Sequence, residues 1–200
     1  MELDLKGRTA AVTGGSKGIG RGIAQELARE GVNLHLAARH RDELQLVADE
    51  IRKQFAVKVE THAIDLSRRD ARDAFAHEIA GVDILVNCAG AIPGGGLDQV
   101  DEETWRQSWE LKLFGYVGIS RIVYQEMCRR RRGVIINIIG AGGVLTGAGY
   151  IAGGAGNSAL INFTKSLGGE AVRYGVRVVG VNPGPVDTPR LAYLHQLAEE

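Results

Sequence analysis

Thr9-Ala10-Ala11-Val12-Thr13-Gly14-Gly15-Ser16-Lys17-Gly18-Ile19-Gly20-Arg21-Gly22-Ile23 is the stretch on which the fold turns. It reads as a short apolar strand (Ala10, Ala11, Val12), a glycine-rich turn, and the first turn of a helix. Glycines at 14, 18 and 20 let the backbone bend sharply and leave room for a pyrophosphate to approach closely. The helix behind them offers unpaired N–H groups and the positive end of its dipole to such an anion. Ser16 and Lys17 lie in the same turn. The competing reading is a tight strand-to-helix turn that holds no ligand; the strand-turn-helix context favours a nucleotide site.

Outward from this turn, strand and helix patterns alternate. Ile19, Ile23 and Leu27, with Ala24 and Ala28, form one helical stripe that stops at Gly31. A second strand spans 32–38, and a helix opened by Asp42 carries Leu44, Val47, Ile51 and Phe55 on one face. A third strand covers 57–64. Ser67 and Asp70 have the spacing of a capping box ahead of Ala71, Ala74, Phe75 and Ile79. A fourth strand, 82–86, runs into Asn87-Cys88-Ala89-Gly90. A long helix is predicted over 101–132, a strand apolar on both faces over 134–139, a helix through Leu160, Ile161, Thr164 and Leu167, and a last strand over 176–181. Such alternation predicts a doubly wound α/β fold, a parallel sheet with helices on both faces. No repeat or linker divides the chain, so 1–200 reads as one domain.

Composition excludes several classes. Lys and Arg total 24 and so do Asp and Glu, so the formal net charge is zero. That argues against nucleic acid or an anionic membrane as the main partner. The 28 glycines cluster near 14–22, 90–96, 140–156 and 180–184, which marks turns rather than disorder. Cys88 and Cys128 have no metal spacing, and His35, His40, His62, His77 and His195 fall in no ligand pattern. The start, MELDLKGRT, has no signal-peptide core, and no run is long enough to cross a bilayer. A cytoplasmic protein is expected.

Ligands of a doubly wound sheet sit beyond the carboxyl ends of its strands. Five turn-type segments are expected along that edge: the glycine turn, Ala38-Arg39, Asp65-Leu66, Asn87-Cys88-Ala89-Gly90 and Asn182-Pro183-Gly184. TGGSKGIG (13–20), NCAG (87–90) and NPGPVDTP (182–189) together resemble the short-chain dehydrogenase/reductase family, and the resemblance covers essentially the whole chain. Cys88 stands where the family pattern has a second Asn. The resemblance implies a Rossmann fold and oxidation or reduction of a small carbonyl or alcohol substrate with a nicotinamide cofactor. It implies that Gly14, Gly18, Ile19 and Gly20 hold the pyrophosphate, and that Asp65 and Leu66 bound the adenine. Asn87, Ala89 and Gly90 would line the cofactor cleft, and Pro183, Gly184, Val186 and Thr188 would lie beside the nicotinamide. It also implies a homodimer or homotetramer paired through helices at about 101–132 and 151–173.

Charge selects the cofactor. An acidic residue after the second strand would bind a ribose 2′-hydroxyl and repel a 2′-phosphate. Here Ala38 is followed by Arg39, with Lys17 and Arg41 near in sequence. A guanidinium can meet a phosphate with two parallel hydrogen bonds. NADP(H) is therefore favoured, with NAD(H) the alternative and a solvated Arg39 the plainer reading.

The resemblance fails at the catalytic groups. The family carries Tyr-x-x-x-Lys on a helix, a Ser about a dozen residues earlier, and an Asn on the preceding long helix. The Tyr protonates the carbonyl oxygen, the Lys lowers its pKa, the Ser fixes the carbonyl and the Asn supports a proton relay. Here Lys112 falls at the Asn position, Gly140 at the Ser, Gly153 at the Tyr and Asn157 at the Lys. No Lys lies between Lys112 and Lys165, so no shift of register restores the pair. Tyr150 lies in the right loop as a proton donor, although unassisted its pKa would stay near about 10; otherwise it packs or touches substrate. Asn157 can hydrogen-bond a ribose hydroxyl.

Remaining features read as structural. Arg129 to Arg132 end a helix, where cations complement the dipole. Trp105 and Trp109 pack on one helix face, and Cys88 is a small buried residue. The resemblance implies a substrate-covering segment and a final strand beyond NPGPVDTP, whereas the chain stops at Glu200 after a helical pattern over 191–200. Two readings remain open. One is an NADP(H)-dependent oxidoreductase with unusual, slow acid catalysis; the other is a catalytically silent cofactor-binding sensor or partner subunit.

Overall fold

The computed structural model describes residues 3–188. Six strands form one parallel sheet: β1 (Thr9–Thr13), β2 (Asn33–Ala38), β3 (Val59–Ala63), β4 (Ile84–Asn87), β5 (Gly133–Ile138) and β6 (Val176–Val181), in the order β3-β2-β1-β4-β5-β6. The order reverses between β1 and β4, and the crevice above that point is where such sheets bind ligands.

Strand alternation sends side chains to two cores. Ala10, Val12, Leu34, Leu36, Ile84 and Val86 point to one face, where they meet Ala24 and Ala28 of α1 (Gly18–Arg29) and Leu44, Val47 and Ile51 of α2 (Arg41–Gln54). Ala11, Ala37, Leu85 and Ile135 point to the other. There they meet Phe75 and Ala76 of α3 (Arg69–Glu78), Ile119, Val123 and Met127 of α5 (Gly115–Arg130), and Ala171 of α6 (Ile151–Ala171). A strand buried on both faces must be apolar at odd and even positions alike, which is how β1, β4 and β5 read in sequence.

Several boundaries differ from expectation. The predicted helix 101–132 is two helices, α4 (Glu102–Trp109) and α5, joined by a wide π-turn at Glu110–Phe114. The turn goes with a buried charge: Arg72 is only 6% exposed, and its Nη1 donates to the Glu110 carbonyl at 3.2 Å. Ser67 forms no capping box, because Asp65 Oδ1 accepts from both its N–H (3.0 Å) and its hydroxyl (2.7 Å) and α3 begins at Arg69. β3 is shorter than 57–64, and α2 opens at Arg41 rather than Asp42. α5 ends at Arg130, whose guanidinium donates to the carbonyls of Gly81 and Val82, so this arginine ties down a loop rather than facing solvent. Trp105 and Trp109 pack edge to face with ring centroids 6.1 Å apart. The helical pattern over 191–200 lies outside the described residues. No helix among the described residues is long and apolar enough to cross a membrane.

Candidate active site

A cleft of about 800 Å³ opens along the carboxyl edge of the sheet. Its floor is the glycine turn. Gly14 adopts φ +71° and donates from its N–H to the Ala37 carbonyl at 2.7 Å, which bends the chain back over β2. Gly20 packs so closely on this bend that a Cβ there would fall 2.2 Å from the Gly14 carbonyl oxygen. Lys17 caps α1 without a side-chain hydrogen bond, and no acidic residue occupies the helix's first turn. Among the described residues the first N–H groups of α1 therefore meet no capping or acidic side chain, at a helix start that attracts anions.

Thr13 locks the second wall to this turn. Its Oγ1 accepts from the N–H groups of Cys88 (2.9 Å) and Ala89 (3.0 Å), pinning the end of β4 beside the glycines. Sequence reasoning missed this residue, whose only signal is its place between an apolar strand and the turn. Cys88 is half-buried, and loss of solvation raises its thiol to about 11 despite the nearby Lys112 ammonium, so it is no nucleophile at neutral pH.

Of the sequence-predicted residues, Gly14, Ser16, Lys17, Gly18, Ile19, Gly20, Arg39, Leu66, Ala89, Gly90, Tyr150, Asn157, Pro183, Gly184, Val186 and Thr188 all line this one cleft. Two do not. Asn87 is 0% exposed and lies beneath the floor, where its Nδ2 donates to Ser120 Oγ (3.0 Å) and Asn137 Oδ1 (2.9 Å). It terminates a buried polar chain that continues from Asn137 Nδ2 to Thr164 Oγ1 at 2.9 Å, so it braces the site rather than lining it. Asp65 is held by Ser67, whose hydroxyl and N–H, followed by the nearby Arg39 and Arg68 charges, lower its pKa; Leu66 alone of this pair reaches the cleft.

At the far end stand the four positions to which the family resemblance assigns catalytic groups. The π-turn carries Lys112 into the cleft, where its Nζ donates to the Ile139 carbonyl at 2.7 Å. π-turns recur at functional sites, since the extra residue re-aims a side chain. Gly140, at φ +133°, is followed by a short 3-10 turn at Ala141–Gly143. A Cβ at Gly140 would lie 3.1 Å from Asn157 Nδ2, so the Asn157 amide reaches the space beside that glycine. Asn157 is 2% exposed, and its Oδ1 is buried without a hydrogen-bond partner. Among the described residues that Oδ1, like Asn87 Oδ1 beneath the floor, has no partner, and Asn157 is the one of the two whose residue lines the cleft.

Tyr150 is the residue just before α6, and its ring folds back over the helix's first turn. A Cβ at Gly153 would fall 1.9 Å from Tyr150 Cζ, and one at Gly142 would fall 3.1 Å from its Cδ1. The two glycines form a slot, and the phenol ring fills it.

The short chain dehydrogenase family profile matches residues 8–197. The chain belongs to that family. It is 34% identical over 189 residues to the 3-oxoacyl-acyl-carrier-protein reductase of Vibrio cholerae, spanning 93% of this chain and 76% of that one. It is 35% identical over 189 residues to the oxidoreductase UcpA of Salmonella typhimurium, spanning 92% and 72%. The structure of L-sorbose reductase from Gluconobacter frateurii, complexed with NADPH and L-sorbose, superposes with a TM-score of 0.93 at 30% identity, covering 100% of this chain and 78% of that one.

Proposed function

We propose that this short-chain dehydrogenase is an NADP(H)-dependent oxidoreductase acting on a carbonyl or alcohol, with Tyr150 handling the proton in place of the absent Tyr-x-x-x-Lys pair. The observation that carries this reading is the phenol of Tyr150 held in the Gly142–Gly153 slot, at the other end of the cleft that the glycine turn opens.

The residues fit a dinucleotide. The cradle at Gly14 and Gly20 has no space for Cβ atoms, the first turn of α1 attracts a pyrophosphate, and the orphaned Asn157 Oδ1 accepts from a ribose hydroxyl. Arg39 and Lys17 supply cations at the β2 end, where a 2′-phosphate would be recognised; L-sorbose reductase, similar in fold, holds NADPH. The bound nicotinamide supplies or accepts a hydride.

The chain's own groups manage charge and proton. As the substrate carbonyl gains hydride, its oxygen becomes an alkoxide and takes the proton from Tyr150 Oη; the phenolate is reprotonated from solvent. The Asn157 amide supplies a hydrogen-bond donor beside Gly140, where no side chain exists to do so. The Lys112 ammonium, anchored on the Ile139 carbonyl, puts a positive charge in the same cleft. Leu145 (69% exposed) and Val186 (42%) give the substrate end an apolar rim.

The test is turnover on a panel of ketones and aldehydes with NADPH, beside a fluorescence titration of NADPH alone. Binding with turnover is expected. Failure to bind NADPH contradicts the cofactor reading; binding with no turnover favours the silent sensor, which the missing side chains at Gly140 and Gly153 also support. We further propose self-association through 101–132 and 151–173, and a sedimentation run that shows only monomer at micromolar concentration contradicts it.

A further inference from the structure

On the face of the sheet covered by α3, and outside the cleft, strand register brings His35 beside two ligand-type side chains of the neighbouring strand. His35 of β2 pairs with Glu60 of β3, and Ala37 with His62, so His35, Glu60 and His62 share one face. His35 Nδ1 lies 3.1 Å from His62 Nε2 and 3.6 Å from Glu60 Oε2, and one ligand atom from each residue falls within 4.8 Å of the others. From the two imidazoles and the carboxylate we infer a binding site for a divalent transition-metal cation, zinc above all, that clips the edge strand β3 to β2.

Distance supports the assignment. A tetrahedral zinc about 2.0–2.1 Å from each imidazole sets their nitrogens about 3.3 Å apart. The observed separation is within a few tenths of an ångström of that edge, so little movement is needed. Two imidazoles and one carboxylate suit zinc, whereas calcium and magnesium prefer oxygen ligands alone. Water completes the fourth position.

The surroundings are built for the role. His62 Nδ1 faces Glu78 Oε2 of α3 at 3.6 Å, which favours the tautomer that leaves Nε2 free to ligate; a carboxylate behind a ligating histidine is a recurrent outer-shell arrangement. The Phe75 ring lies edge-on to His62 with centroids 5.1 Å apart and fixes its plane. The histidine side chains are 18% and 11% exposed and that of Glu60 is 62%, which leaves a solvent approach on the carboxylate side.

Without a cation the same geometry closes as a hydrogen bond, with His35 Nδ1–H donating to His62 Nε2. The cation replaces that shared proton. His62 lies beside Ala37, whose carbonyl holds Gly14 N–H, so the clip anchors the strand ends that carry the glycine turn.

The test titrates Zn²⁺ into the metal-stripped full chain against a chromophoric zinc indicator, in parent, His35→Gln, His62→Gln, Glu60→Gln and Glu78→Gln. One equivalent is expected to bind the parent and raise its unfolding midpoint. His35→Gln and His62→Gln are expected to bind at least 100-fold more weakly, and Glu78→Gln about 10- to 100-fold. Circular dichroism without zinc checks that each variant folds. Zinc-edge absorption on the parent is independent of any variant: two imidazoles with oxygen support the site, and a sulfur ligand overturns it. Parent affinity no higher than that of the two histidine variants also overturns it.

Discussion

The ring of Tyr150 occupies the space that any side chain at Gly153 would need, since a Cβ at 153 falls 1.9 Å from Tyr150 Cζ. The relationship makes the two positions mutually exclusive. A bulky residue at 153 expels the Tyr150 ring, and the glycine at 153 admits it. The glycine at 153 and the ring placement at 150 are therefore one structural fact, which sets a phenol in the wall of the cleft from a position three residues earlier in the chain.

In the proposed reading Arg39 sets the cofactor preference. Replacing Arg39 by Asp removes a charge-assisted contact worth about 1.5–3 kcal/mol and adds repulsion to a 2′-phosphate. The NADPH-over-NADH affinity ratio is expected to fall at least tenfold, read by fluorescence titration of both cofactors. An unchanged ratio contradicts the 2′-phosphate assignment.

Asn157 already has an unpartnered buried Oδ1, so Asn157→Ala removes a group that the fold alone leaves unsatisfied. Loss of one neutral hydrogen bond to bound ribose costs about 0.5–1.5 kcal/mol. NADPH affinity is expected to drop roughly 2- to 10-fold, with a urea midpoint close to the parent's. A large loss of stability with unaltered NADPH affinity would give Asn157 a purely structural role.

Thr13→Val tests the lock between β1 and β4. It keeps the shape and strips the acceptor from two backbone N–H groups, of Cys88 and Ala89. Leaving buried donors unpaired costs about 1–3 kcal/mol, measured as a lower urea midpoint with the same slope. An unchanged midpoint means that the 87–90 segment finds another acceptor.

The half-buried Cys88 thiol, raised from 9.0 to about 11, stays protonated through the physiological range. The raised folded-state value favours the protonated native form, so the associated stability is full below pH 9 and declines as pH rises from 9 toward 11. Alkylation of Cys88 by iodoacetamide at pH 8 is expected to be far slower in the native chain than in urea, followed by peptide mass spectrometry. Equal rates contradict the burial argument.

The glycine-turn end of the cleft is legible in sequence because its geometry is local. Backbone conformation at Gly14, Gly18 and Gly20 and the order strand-turn-helix are written in adjacent residues. Arg39 and Leu66 followed from knowing where parallel strands end. Asn87 was misjudged as a cleft residue because sequence gives its position at a strand end, not whether the side chain points up into the cleft or down onto Ser120 and Asn137. The π-turn at Glu110–Phe114 was invisible, since the buried Arg72 that bonds to it comes from a different helix. The slot for Tyr150 needs the relative placement of a loop glycine, a helix glycine and a ring, which no periodicity encodes. His35 and His62 showed no ligand spacing because only strand register joins them.

The measurement that bears most directly on the account is kcat of Tyr150→Phe against the parent, on a carbonyl that the parent reduces with NADPH, with NADPH affinity measured alongside. The substitution keeps the ring in its slot and removes only the hydroxyl, and loss of a positioned acid costs about 10²–10⁴-fold. Gly153→Ala is the companion, because it displaces the ring while leaving the hydroxyl on the chain. The account predicts that kcat falls by that factor in Tyr150→Phe, falls also in Gly153→Ala, and that NADPH binding changes less than twofold in Tyr150→Phe. A Tyr150→Phe enzyme that turns over as fast as the parent would contradict it.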